Sequence, residues 1–362
     1  MPNPKRNLRN NAAPVPRPTP QATPIRRKRA RRRSGGITLS DVAKVAGVSA
    51  ITASRALNTP ALVSPETLHR VRHAIARTGY VPNMLAGGLA SSRSRLIAAL
   101  VPTIAGPVFL ETVQALTEAL AASGYQLMLG QSGYTGSRED ALLDAIIGRR
   151  PDGIVLTGIM HSAEGRRRLL AAGIPVVETW DLTPTPIDML VGFSHEKVGA
   201  AVAEYLHAHG RHRFAIVTGD DHRAGLRRKS FVEAAARLGV VNVSVCSVPA
   251  PTTLGSGRVG LSDLLARRAA IDAVFCSSDV LAHGVITEAQ SRGLVVPRDL
   301  AVFGFGDLSF AGDIWPALTT VRIDGTAIGR QAAAFIVDRA EGRPVIERVV
   351  DLGFSIVERD SV

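Results

Sequence analysis

The stretch Ile37-Thr-Leu-Ser-Asp-Val-Ala-Lys-Val-Ala-Gly-Val-Ser-Ala-Ile-Thr-Ala-Ser-Arg-Ala-Leu-Asn58 decides how this chain is read. Leu39, Val42, Ala43 and Ala46 recur at helical spacing, and Gly47 stands where that helix has to end and the chain turn. Ser49 predicts the N-cap of a second helix running to Leu57, since its hydroxyl accepts from a first-turn N–H that the helix leaves unpaired. With Ala53 and Leu57 turned to a core, Ala50, Ile51, Ser54, Arg55 and Asn58 share the opposite face. Such a face suits the major groove of DNA. Arg donates two hydrogen bonds to guanine, Asn pairs with adenine, and Ala or Ile touches a thymine methyl. Thr38, Ser49 and Thr67 begin or flank helices, where hydroxyls and backbone N–H groups hold phosphates. The competing reading is ordinary: three caps and one solvated helix face.

Working outward, Ser64-Pro65 supplies an N-cap and a first-turn proline for a third helix, which packs Leu68, Val71 and Ile75 inward and stops at Gly79. Residues 37–80 therefore read as a trihelical helix-turn-helix domain, and 81–95 as a hinge or linker. Residues 1–36 hold eleven Lys or Arg and no acid, including the run from Arg26 to Arg33. Rich in Pro and Asn, they bury too little apolar area to offset their ordering entropy and read as a disordered basic tail. The tail is either a source of unspecific phosphate contacts or a passive extension. Residues 37–95 add seven basic side chains against Asp41 and Glu66, so the net charge of +12 leaves −4 for residues 96–362. A basic front on a mildly acidic body points to a polyanionic partner.

From Leu96 onward, apolar strand-like runs alternate with helical stretches. The runs are Leu96–Val101, Tyr125–Gly130, Gly153–Thr157, Pro175–Glu178, Phe214–Thr218, Ala273–Ser277 and Leu300–Phe305. Helical patterns between them include Pro107–Ala122, Glu196–Ala208, Arg227–Leu238 and Leu281–Ser291. Continuous apolar strands separated by helices indicate parallel sheets covered on both faces. About ten such strand–helix units over residues 96–362 exceed one ordinary sheet, so this region predicts two α/β subdomains of doubly wound parallel sheet. A ligand cleft is expected where their strand C-termini face each other. No apolar run reaches the roughly 18 residues of a membrane span, and no secretory signal follows the basic N-terminus. Cys246 and Cys276 sit in apolar runs without CxxC spacing and read as reduced core residues, which implies a cytoplasmic protein.

Ile37–Ala43, Ala46-Gly-Val-Ser49, Thr52-Ala-Ser-Arg55, Leu57-Asn58, Val63-Ser64 and Gly79-Tyr-Val-Pro-Asn83 closely resemble the headpiece of LacI-type (lactose-repressor) transcriptional regulators. Leu85-Ala86, Leu89-Ala90, Ser94 and Ile97 resemble that family's hinge and first core strand. The resemblance implies a homodimer placing two recognition helices in successive major grooves of near-palindromic double-stranded operator DNA. It places Ser49, Ala50, Ile51, Thr52, Ser54 and Arg55 at the DNA, lets Asn58, Thr67 and Asn83 position the backbone, and makes Leu89 the hinge leucine that wedges into the minor groove. One departure stands out. Gly87 and Gly88 intervene where many family members carry an arginine, and two glycines weaken a helix by roughly 1 kcal/mol each relative to Ala.

The core resembles the family's periplasmic-binding-protein-like domain, through blocks such as Gly173-Ile-Pro175, Arg227 to Phe231, Ser278-Asp279 and Phe303-Gly304-Phe305. By that likeness Phe109, Arg227, Ser278, Asp279 and Asp307 form the effector site, with Arg227 as the hydroxyl-gripping arginine and Ser278 where an Asn is usual. Glu178-Thr-Trp-Asp181 and Asp351-Leu-Gly-Phe354 look most like the branch of gluconate-operon repressors, so a sugar acid is favoured over a neutral sugar. Its carboxylate needs a cation. Arg227, Arg228, Lys229 and Arg322 are candidates, the neighbours of Arg227 being equally readable as solvated helix residues. Trp180 reads either as a ligand-stacking ring or as core.

Gly255-Ser-Gly-Arg-Val-Gly260 matches the dinucleotide fingerprint, but it follows a loop and lies late in the chain, so it is set aside. His207, His209 and His212 cluster near a helix end without further ligands and read as polar capping. No cofactor, metal centre or catalytic residue is expected. The expected function is a ligand-responsive repressor of sugar or sugar-acid metabolism. Its rivals are a sugar-binding protein and a carbohydrate-modifying α/β enzyme.

Overall fold

The computed structural model describes residues 36–81, 93–104, 106–133, 136–160, 162–267 and 270–362. The chain divides into two compact units, Met1–Asn83 and Met84–Val362. In the first, Thr38 caps α1 (Leu39–Ala46) in a capping box: Asp41 N–H donates to Thr38 Oγ1 at 3.4 Å and Thr38 N–H donates to Asp41 Oδ2 at 3.0 Å. Gly47, at φ +64°, ends α1 in the left-handed conformation that glycine adopts without strain. Ser49 caps α2 (Ala50–Asn58), and Ser64 with Pro65 opens α3 (Pro65–Thr78), which Gly79 terminates. Val42, Ala46, Ala56, Val71 and Ala74 form the core, with Val48, Val63, Leu68, Ile75 and Tyr80 packed on it. The inward residues of α2 are Ala53 and Ala56, while Leu57 is half-buried. The expected pairing of Ala53 with Leu57 is thus one position off at its second member. Both i+3 and i+4 fall on a helix face, and here the i+3 residue meets the core.

The second unit contains two six-stranded sheets. The N-terminal sheet orders its strands β11-β5-β4-β3-β1-β2, built from β1 (Leu96–Val101), β2 (Gln126–Gln131), β3 (Gly153–Thr157), β4 (Val176–Thr179), β5 (Met189–Gly192) and β11 (Val349–Asp351). All of its pairs are parallel. The C-terminal sheet runs β12-β10-β9-β8-β6-β7, from β6 (Phe214–Gly219), β7 (Ser244–Val248), β8 (Ala273–Cys276), β9 (Ala301–Gly306), β10 (Thr319–Arg322) and β12 (Ser355–Val357). Only β12 is antiparallel to its neighbour. Every residue of β4, β5, β6 and β8 is buried, which explains their largely apolar sequence; the polar Glu178, Thr179 and Thr218 are buried with the rest. β2, at an edge, is half-exposed.

Helices α4 (Leu110–Ala122), α5 (Gly136–Ile147), α6 (Ala163–Ala172), α7 (His195–Ala208), α8 (His222–Arg237), α9 (Leu254–Ala266), α10 (Asp279–Ser291) and α11 (Gly325–Ala340) cover the sheets. The chain passes between the subdomains three times, at 193–194, 323–324 and 352–354. Hence α11, far along the sequence, packs on α4 and on β3, β4 and β5. The glycine fingerprint lies inside α9. A Cβ on Gly257 would stand 2.2 Å from Leu281 O and one on Gly284 2.1 Å from Leu254 O, so these glycines let α9 and α10 touch backbone to backbone. Cys246 and Cys276 are both free thiols and buried. Among the described residues, no helix is long and apolar enough to cross a membrane.

Candidate nucleic-acid interface and core cavity

In the first unit, the face of α2 away from the core carries the residues expected to read the groove. Ser49 Oγ accepts from Thr52 N–H at 3.1 Å and lies 2.8 Å from Thr52 Oγ1, which fixes both hydroxyls at the N-terminal end of the helix. Ala50, Arg55 and Asn58 are exposed, Thr52 and Ser54 half-buried, and Ile51 is 67% exposed. An apolar side chain open to water amid hydroxyls and one cation is compatible with a base-contacting face. Asn58 Nδ2 donates to Ser54 Oγ at 3.2 Å, and no ion pair among the described residues involves Arg55, leaving its fork available. Thr38 and Thr67 stand at the first turns of α1 and α3, Thr67 N–H donating to Ser64 Oγ at 3.3 Å. The expected contacts at Asn83 and Leu89, the glycines 87 and 88, and the basic tail lie outside the described residues.

In the second unit, turns at the strand C-termini of both sheets enclose two adjoining cavities, an inner one of about 80 Å³ and an outer one of about 360 Å³. Of the five expected effector residues, Phe109, Arg227 and Ser278 line the inner cavity together. Arg227, on α8, is 5% exposed; Nη1 lies 2.8 Å from His195 Nδ1, Nη2 donates to Ser277 O at 3.1 Å, and Cζ sits 4.0 Å from the Phe305 ring centre. Its Nε has no partner. Burial brings the Arg227 pKa down to about 10, opposed by Asp221. Arg223, one turn earlier, lies 5.0 Å from the Phe109 ring centre. Trp180, read as either stacking ring or core, takes both places: 3% exposed, it sets its edge against Phe109 and Phe193 and lines the inner cavity.

The two cavities differ in charge. Arg223 and Arg227 face Asp221 in the inner one, whereas Glu139, Asp181, Asp220 and Asp221 line the outer one with Arg223. Burial raises the carboxyls of Glu139 and Asp181. A ligand spanning both would thus meet guanidinium groups at one end and hydrogen-bond acceptors at the other.

Asp279 and Asp307 are not brought into this lining. Asp279 is fully buried beneath the C-terminal sheet, where Thr320 Oγ1 donates to Oδ1 at 2.5 Å and Leu308 N–H to Oδ2 at 2.7 Å. Burial pushes its pKa up to about 6. Asp307 is clamped by Arg322 at 2.5 Å and Arg359 at 2.7 Å and borders a separate depression with Glu111 and Asp324. Arg322 is thereby engaged elsewhere. Arg228 donates to Ser247 Oγ and Lys229 pairs with Glu233, both on the exposed side of α8. His209 caps the end of α7 and stacks on Tyr205, and His207 packs edge-on to His212.

Sequence reasoning did not select His195, Asp221, Arg223, Thr252 or Ser277, which also line the inner cavity. Asp221 was findable: it is the N-cap of α8, accepting from Ala224 N–H at 3.1 Å. His195 gave no local signal, since its role depends on Trp180 and Arg227 meeting it from different elements.

The model for bacterial regulatory proteins of the lacI family matches residues 38–83, and that for the periplasmic binding protein-like domain matches residues 203–362. The chain is 37% identical over 332 residues to the HTH-type transcriptional regulator GntR of Pseudomonas aeruginosa, covering 91% of this chain and 97% of the relative. It is 30% identical to the GntR of Escherichia coli (strain K12), over 90% of this chain and 98% of that one. A LacI-family transcriptional regulator from Silicibacter pomeroyi has a crystal structure that superposes with a TM-score of 0.84 at 31% identity, covering 90% of this chain and 99% of that chain. With the trihelical unit and the two-sheet core in place, these likenesses make the chain a member of the LacI family of DNA-binding transcriptional regulators.

Proposed function

We propose that this regulator is a dimeric repressor that holds near-palindromic operator DNA in the cytoplasm and releases it when a sugar acid of the gluconate class fills the core cavity. The observation that carries the effector class is Arg227, a buried guanidinium with no acid within ion-pair distance among the described residues. A buried cation is costly unless an anion meets it, and a ligand carboxylate supplies that anion. Phe109, Arg227 and Ser278 touch the ligand in this reading. Asp279 and Asp307 act one step away, Asp279 by holding the turn at Leu308 and Asp307 by holding Arg322 and Arg359. The polyol chain extends toward Asp181, Asp220 and Glu139, whose carboxylates accept from hydroxyls.

On the DNA side, the α2 face from Ser49 to Arg55 reads bases, Thr38, Asn58, Thr67 and Asn83 hold the backbone, and Leu89 wedges the minor groove. Ligand acts by preferring one arrangement of the two subdomains, with a coupling of roughly 1–3 kcal/mol typical of allostery. The test is a thermal-shift screen of aldonates against the matching neutral sugars, followed by titration of a palindromic duplex with each hit. D-gluconate should stabilise the chain and weaken duplex binding. Stabilisation by neutral sugars alone would overturn the effector class, and equal affinity for random duplex would overturn the operator reading.

A further inference from the structure

Arg227 is held in place by two acceptors and no acid, and one of them is a side chain. A guanidinium only donates, so His195 Nδ1, 2.8 Å from Arg227 Nη1, must accept. The other ring nitrogen, Nε2, lies 2.9 Å from the Trp180 carbonyl oxygen, which only accepts, so the proton resides on Nε2. These opposed demands permit one neutral tautomer and no imidazolium.

The partners belong to different parts of the fold. Arg227 is on α8 of the C-terminal subdomain, Trp180 follows β4 of the N-terminal subdomain, and His195 opens α7 just past the first crossover. Trp180 holds φ +65°, a left-handed conformation unusual for a bulky residue, so its carbonyl direction is a specified feature. Its indole Nε1 donates to Thr112 Oγ1 at 3.0 Å, and that hydroxyl donates to Gly325 O at 2.9 Å, at the start of α11 after the second crossover.

We propose that His195 is a positioning residue: it aims Arg227 into the cavity from one subdomain while anchoring itself to the Trp180 backbone of the other. The inference rests on the cavity being the site of an acidic effector. The charged and titratable groups around the ring are Arg227, Arg223 and His222 from α8, with Asp181 and Asp221 acting on the guanidinium beside it. Burial and the adjacent cations keep the ring neutral well below its ordinary range.

Two isosteres separate the roles, with D-gluconate as probe in calorimetric titration of the full chain. His195→Gln places an amide near Nε2 and leaves Arg227 without its acceptor, so affinity should fall about tenfold or more. His195→Asn places an oxygen near Nδ1 and should restore affinity to within about threefold of the parent. Equal losses in both variants, or no loss in either, would overturn the assignment. A ligand-free measurement decides it independently: the side-chain ¹⁵N signals of His195, identified by their loss in either variant, should report the Nε2–H tautomer without titration between about pH 8 and pH 5. An Nδ1–H tautomer, or titration near the ordinary 6.5, would overturn it. If the parent chain does not bind D-gluconate, the effector class fails, while the tautomer still decides the role of His195.

Discussion

Arg227→Met separates what the buried guanidinium costs the empty protein from what it contributes to binding. Methionine keeps an apolar stem of similar length and gives up the guanidinium carbon that stands 4.0 Å from the Phe305 ring centre. Burial lowers the Arg227 pKa from above 12 to about 10. At about 1.36 kcal/mol per pH unit, this disfavours the cation by about 3 kcal/mol when no anion is present. The substitution removes that penalty and leaves His195 Nδ1 and Ser277 O without a donor, at about 1 kcal/mol each. Losing the cation–π contact removes about 1 kcal/mol more, so the ligand-free variant should lie within about 1 kcal/mol of the parent in urea denaturation. D-gluconate binding should fall about 100-fold, as expected for losing two charge-assisted hydrogen bonds to a carboxylate. A variant destabilised by about 2 kcal/mol or more that still binds D-gluconate normally would refute the reasoning, because Arg227 would then be a structural strut.

Gly284→Ala drives a Cβ onto the Leu254 carbonyl across α9, a clash of backbone that no rotamer relieves, and should cost about 3 kcal/mol in urea denaturation. Gly225→Ala, with nothing within 4 Å of its Cβ, should instead gain about 0.5–1 kcal/mol from helix propensity. Asp279 has a folded pKa of about 6 against 3.8 unfolded, so the folded state binds the extra proton between those values. Its contribution is fully present below pH 3.8 and is lost as pH rises through 6, up to about 3 kcal/mol, and Asp279→Asn should flatten that segment of the stability profile. Arg55→Ala should cost about 1–3 kcal/mol on the preferred duplex while leaving random-duplex binding nearly intact; a uniform loss across sequences would make Arg55 a phosphate contact.

Helix α2 and its two faces were legible because their signals are local. Ser49, the small residues and Arg55 lie within two turns, and helical geometry alone sorts them onto faces. Long apolar strands such as β1 and β6 declared themselves by composition. Met189–Gly192 and Thr319–Arg322 did not, although β4 and β8 are equally short: in Thr319–Arg322 only Val321 is apolar, and Met189–Gly192 offers three apolar residues before a glycine. The cavity was half legible. Resemblance supplied Phe109, Arg227 and Ser278, but sequence adjacency misplaced Asp279: one residue after Ser278, it is the first residue of a helix and turns under the sheet to Thr320. Which way neighbouring side chains point there depends on strands forty residues away. The fingerprint at Gly255–Gly260 shows the converse, since close helix packing and phosphate binding both demand absent side chains.

The three passages between subdomains also govern the order in which the protein can be finished. By the time residue 322 leaves the ribosome, five strands of the N-terminal sheet have emerged, yet their covering helix α11 and edge strand β11 have not. Ile336 of α11 fills the space above Gly153, where a Cβ would lie 2.3 Å from its Cγ1. Until that helix arrives, α4 covers the β1–β2 side of this face and the part over β3, β4 and β5 is bare. Vectorial, domain-by-domain maturation is therefore closed to this core: the half made first is sealed only after the half made second is nearly complete, and a chain cut at 322 would present its unsealed apolar face to chaperones or to other nascent copies.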